Sequence, residues 1–119
     1  MANELSVTVI HSVTRDGVVA RLEKSKTMDQ AGTEYLNNTQ SIATSSTAIS
    51  MGDVTTLGRL TVLNTDDTNY VEVDSATTFD KFPQKIRPGE AIQLCPQTAT
   101  LYAKANTAAV VIAILATEL

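Results

Sequence analysis

The chain has 119 residues and a single cysteine, and its 9 basic and 13 acidic side chains leave a net charge of −4. That length fits one domain, which buries roughly two-thirds of its unfolded surface. The lone Cys95 excludes an intrachain disulfide framework and suits a reducing, cytoplasmic folding compartment. Arg21, Lys24 and Lys26 are interrupted by Glu23, so no phosphate-neutralising cluster forms and nucleic acid is not an expected partner. With 4% aromatic residues and no Trp, the core must come from Val, Ile, Leu and Ala. The longest apolar run, Ala108 to Ala116, is nine residues, about half a membrane-spanning helix, so no membrane partner is expected. The N-terminal Met1-Ala2-Asn3-Glu4 has no basic region of the kind that opens a signal peptide. Asn37-Asn38-Thr39 matches a glycosylation sequon, a three-residue pattern that arises easily by chance.

In chain order, Leu5, Val7, Val9 and Val13 alternate with Ser6, Thr8, Ser12 and Thr14, the period of a half-buried strand. Asp16-Gly17 marks a turn, and Val18, Ala20 and Leu22 resume the alternation, which predicts a hairpin from about Glu4 to Lys26. Residues 27–40 read as a loop or excursion with one helical turn, carried by Met28, Ala31, Tyr35 and Leu36 and weakened by Gly32. Ile42 and Thr44, then Ile49 and Met51, suggest two short strands around a Ser-Ser-Thr bend.

Leu57 to Asn64 and Asn69 to Val73 read as a hairpin about the turn Thr65-Asp66-Asp67-Thr68, with Leu60, Val62, Val71 and Val73 inward. Pro83 makes the segment from Phe79 to Ile86 an edge strand. Arg87-Pro88-Gly89-Glu90 is a type II turn signal leading to Ala91–Leu94. Leu101, Ala103 and Ala105 alternate next, and Ala108 to Ala116 reads as a central strand covered on both faces. The pattern predicts an all-β fold: one β-sandwich or jelly roll of about eight to ten short antiparallel strands spanning residues 1–119.

No constellation for catalysis assembles, so the expectation is a non-enzyme without catalytic residues, cofactor or metal site. His11 is the only histidine, at an inward position by the alternation, and a structural or interface role fits it. Cys95 has no base near it in sequence and reads as a buried, inert thiol. Asp66, Asp67, Glu72 and Asp74 lack the spacing of a calcium loop. Ser45-Ser46 has no triad context, and Gly52 and Gly58 form no phosphate loop. Tyr35, Tyr70 and Tyr102 are the aromatics available to a glycan-binding face.

The segments Gly58-Arg59-Leu60-Thr61-Val62-Leu63-Asn64, Asn69-Tyr70-Val71-Glu72-Val73, Arg87-Pro88-Gly89-Glu90 and Leu101-Tyr102-Ala103-Lys104-Ala105-Asn106 occur in that order. Over roughly Gly52 to Leu119 the sequence resembles small virion structural proteins of tailed bacteriophages. The resemblance implies a capsid decoration (cement) protein that binds a major capsid protein or another virion protein, assembles in the host cytoplasm and resides in the virion. A tail, neck or head–tail joining component is the alternative it leaves open. A receptor- or glycan-binding module is a second. A dimer or trimer is the expected oligomer, because the chain is poor in charge and rich in Thr and Ala. The resemblance carries over no functional residue and singles out no interface.

Overall fold

The computed structural model describes residues 5–30 and 32–118, and every described element is a strand. The chain divides into two compact units, Met1–Ala31 and Gly32–Leu119, in place of the single domain expected over residues 1–119.

The first unit is a lone hairpin of β1 (Leu5–Arg15) and β2 (Val18–Met28), paired over eleven residues from Leu5↔Met28 to Arg15↔Val18. Asp16 (φ 52°) and Gly17 (φ 77°) both take positive φ, as the two-residue loop of a twisted hairpin requires. The expected turn and strand faces are therefore present; Glu4, the expected start, lies outside the described residues. His11 is not inward, however. It is exposed, as are its neighbours, because a two-stranded ribbon has no second layer of its own.

The second unit is a β-sandwich. One sheet has the order β3 (Tyr35–Ile42), β10 (Val110–Glu118), β5 (Leu57–Asn64), β8 (Ala91–Leu94). The other has the order β4 (Thr47–Ala48), β9 (Tyr102–Ala105), β6 (Val71–Asp74), β7 (Gln84–Ile86). Both are antiparallel throughout. Strands 3 and 10, 4 and 9, 5 and 8, and 6 and 7 pair as nested partners, like one long ribbon folded over on itself. Rolling that ribbon adds the contacts β10–β5 and β6–β9, which complete the two sheets. Leu60, Val62, Ile112 and Ile114 from one sheet meet Val71, Val73, Ile86 and Ala103 from the other in a single apolar core.

Three expectations are corrected. The segment Tyr35 to Gln40 belongs to an edge strand rather than a loop or helical turn, because it pairs antiparallel with β10 from Tyr35 to Ile42; Ala31 lies outside the described residues. β5 and β6 are not a hairpin: the Asp66 turn carries the chain from one sheet to the other. The Pro88-Gly89 turn does the same between β7 and β8. Finally, β10 is central but covered on one face only. Ile112 and Ile114 are buried, whereas Val111 and Leu115 are 46% and 44% exposed.

Gly89 has φ 75°, and Glu90 N donates to Arg87 O at 3.0 Å, which makes this the expected type II turn. Nothing lies within 4 Å of where a Cβ would stand, so the cost of a side chain is backbone strain alone. Gly89→Val is expected to lower stability by about 1–3 kcal/mol. A thermal midpoint equal to the parent's would contradict the turn assignment.

Candidate functional site

The polar residues that could suggest chemistry are occupied in holding turns. Asp66 accepts from Thr68 N (2.9 Å) and Asn69 N (2.6 Å), an Asx turn at the end of β5. These two backbone N–H groups, Asn69 foremost, hold its carboxyl below the usual carboxylate range. Asp74 is buried, and its carboxylate accepts from Ser75 N (2.7 Å), Lys81 N (3.0 Å) and Phe82 N (3.1 Å). Burial pushes its pKa up. The three N–H groups and the Lys81 charge outweigh that, so the group stays ionised below its ordinary range. Asp74 thus anchors the loop between β6 and β7.

That loop lies against the outer face of the second sheet. Glu72, Lys104 and Tyr102 stand on that face by strand alternation, and Phe79 is buried there with Lys104 Nζ 4.6 Å from its ring centre. Lys85 Nζ covers the Tyr70 ring at 4.1 Å.

The outer face of the first sheet is different. The register places Val111, Ala113 and Leu115 of β10 beside Leu63 of β5, with Ala91 of β8 next in line. Asn37, Thr39 and Ser41 of β3, Thr61 and Arg59 of β5 and Gln93 of β8 share this face, with Arg59 donating to Gln93 Oε1 at 3.0 Å. Its centre is apolar and, among the described residues in register on it, none is a carboxylate; Leu63, Val111 and Leu115 are each at least 38% exposed.

Cys95 is exposed rather than buried, just beyond β8 and at the rim of a shallow open cleft with Phe82, Leu94 and Pro96. It had been expected inside because it follows the apolar Ala91–Leu94 run, but the alternation of β8 turns Ile92 and Leu94 inward and leaves Cys95 on the outer side with Ala91 and Gln93. Cys95→Ala is therefore expected to change stability by less than about 0.5 kcal/mol, the usual span for a surface substitution. The folded parent should react with a maleimide at the rate of a free thiol; protection of that thiol in the native protein would contradict its placement.

Among the described residues, no three His, Cys, Asp or Glu side chains are grouped so as to hold a metal ion. Asp66 and Asp74 belong to separate turns, where backbone donors bond Oδ2 of Asp66 and both carboxylate oxygens of Asp74. The three tyrosines do not form one stacking platform: Tyr35 is on β3, whereas Tyr102 is on β9 of the opposite sheet and Tyr70 stands just before β6. Ser45 and Ser46 lie in an exposed bend.

What the fold presents instead is surface. The alternation in β1 and β2 puts Leu5, Val7, Val9 and Val13 on the same side as Val18, Ala20, Leu22 and Met28. Sequence reasoning found that side but took it as a core face. The missed signal is the pairing partner: two consecutive eleven-residue strands close their hydrogen bonds on each other and leave nothing behind them. No protein-family model, curated protein or solved structure matches the chain.

Proposed function

We propose that this protein is a structural subunit of a bacteriophage virion, a capsid decoration protein that binds the major capsid protein and stabilises the head. The observation that carries the reading is the concentration of exposed apolar side chains on two flat β surfaces, the hairpin and the outer face of β3-β10-β5-β8. Exposed apolar area on this scale is the mark of protein–protein contact. The nested strand order is that of a jelly roll, an architecture used by viral capsid and lectin domains. The fold is an analogy only, since one fold serves many functions. The resemblance of residues 52–119 to phage virion proteins chooses between the two, and the scattered tyrosines give a lectin no stacking surface.

A decoration protein needs neither cofactor nor catalysis. It binds the assembled shell and not the free subunit, so mass action favours the assembled state, and repeated copies add avidity. In this reading the chain assembles in the host cytoplasm and stays in the virion. The test is a density map of the purified particle. Regular density for this chain over the head lattice is the expected result. Density confined to the tail or neck would move the protein to that role, and its absence from purified particles would overturn the virion reading.

A further inference from the structure

We infer that Glu118 is a latch: its carboxylate pins the end of the segment through which the hairpin unit joins the sandwich, and its release opens that end while the sandwich stays folded. The latch lies wholly within the unit Gly32–Leu119, and the inference goes beyond the virion reading without resting on it.

Three hydrogen bonds make the latch. Glu118 Oε1 accepts from two successive backbone N–H groups, Thr33 N at 3.0 Å and Glu34 N at 2.8 Å. Glu118 N donates in turn to Glu34 O at 3.2 Å. Successive N–H groups that converge on one point form a concave anion site, and here the chain supplies the anion itself. Bonds to an ionised acceptor are roughly twice as strong as neutral ones, so one carboxylate can hold a short segment against the entropy of freeing it.

Gly32 is shaped to this contact. It is not among the glycines at positive φ, so no turn demands it. A Cβ at this position would stand 2.5 Å from Glu118 Cβ and 2.6 Å from Glu118 Oε1. Only a residue without a side chain lets the chain lie so close to Glu118.

The place of the contact makes it releasable. The β3–β10 ladder ends at Tyr35↔Thr117, and the register of β10 against β5 shifts between Thr117 and Glu118. A bulge of this kind ends regular pairing and re-aims a side chain. Thr33 and Glu34 therefore stand beyond the ladder, exposed, and residues 32–34 contribute nothing to the apolar core. Leu36 and Ile42 further along β3 do pack on that core. Opening 32–34 thus breaks the bonds of Glu118 and uncovers no core side chain, which is the make-up of a low-cost local opening. Residues 29–34 separate Met28 of β2 from Tyr35 of β3, so the latch sets how much of this connection is fixed to the sandwich.

Amide hydrogen exchange of the full chain, resolved by residue with NMR, tests this. The Thr33 and Glu34 amides of the parent are expected to be protected. Glu118→Ala should speed their exchange by about ten- to a hundredfold, the worth of bonds to a charged acceptor. Glu118→Gln keeps an oxygen acceptor without the charge and should fall between the two. Gly32→Ala, which displaces the Glu118 side chain, should behave like Glu118→Ala. In every variant the amides of Val62 in β5 and Val73 in β6 should exchange as in the parent, a result that a general brace of the fold would not give. Thr33 and Glu34 amides that exchange in the parent like those of an unstructured chain overturn the inference. So does a Glu118→Ala protein in which they are as protected as before, or one in which Val62 and Val73 lose protection to the same degree.

Discussion

Replacing Asp74 with alanine is expected to lower the stability of the sandwich by about 2–3 kcal/mol, the cost of leaving backbone donors without their acceptor at a buried site. Three N–H groups, those of Ser75, Lys81 and Phe82, converge on this one carboxylate. Without it the loop between β6 and β7 loses its anchor, and Phe79, which sits at a strained positive φ of 54°, loses the frame that holds it. Asp74→Asn should recover only part of the loss, since its amide nitrogen would face a donor at one of the two oxygen positions. The effect depends on pH in a defined direction. The folded-state pKa of Asp74 lies below its reference value of 3.8. As pH falls, the unfolded chain therefore takes up the proton first. The stabilisation is complete above the unfolded value and is lost as pH drops through the folded one. Asp66 contributes with the same sign. Urea unfolding at neutral pH and again in acid checks this: Asp74→Ala should lose less stability than the parent on acidification. Equal losses would mean that Asp74 does not carry the acid limb.

Where the sequence was legible, a local rule had only one structural outcome. Alternation assigned the inward residues of β5, β6 and β9 correctly, because period 2 fixes the face once a strand exists. The edge position expected of Phe79–Ile86 holds for β7, but the strand forms only over Gln84–Ile86, beginning just after Pro83. Partnering was not legible. Asp66 turns the chain by bonding Thr68 and Asn69, and the same local chemistry serves a hairpin or a crossing between sheets. The separation of paired strands, as in β3 with β10, is a property of the rolled ribbon and leaves no local mark. The surfaces were half legible. The unbroken apolar run over 108–116 indicated a strand covered on both faces, whereas β10 is covered on one: Ile112 and Ile114 are buried, and Val111 and Leu115 are exposed. The second sheet shows the contrast: its outer face carries Glu72 and Lys104 and is met by its own loop through Phe79.

Asn64 is expected to be the polar residue least tolerant of change. It is fully buried at the end of β5. Its Nδ2 donates to Asn69 O (2.9 Å) and Ile86 O (3.0 Å), and its Oδ1 accepts from Asp66 N (2.9 Å). Its backbone N donates to Glu90 O and its carbonyl accepts from Gly89 N. One side chain thereby ties the end of β5 to the turn that follows it and to the end of β7 in the opposite sheet. Asn64→Leu keeps the branched outline but leaves the Ile86 and Asn69 carbonyls and the Asp66 N–H without their partner, and should cost about 4 kcal/mol. Asn64→Asp separates polarity from shape. An ionised carboxylate would face two carbonyl oxygens with nothing to donate, so its pKa in the folded protein should rise above the unfolded value. The native state of this variant then binds the extra proton, and acid should narrow its stability gap to the parent, opposite in sign to the effect at Asp74. Denaturant midpoints measured across that range decide the matter. If Asn64→Asp is as stable as the parent at neutral pH, Asn64 does not donate to Asn69 and Ile86, and the tie between the two sheets lies elsewhere.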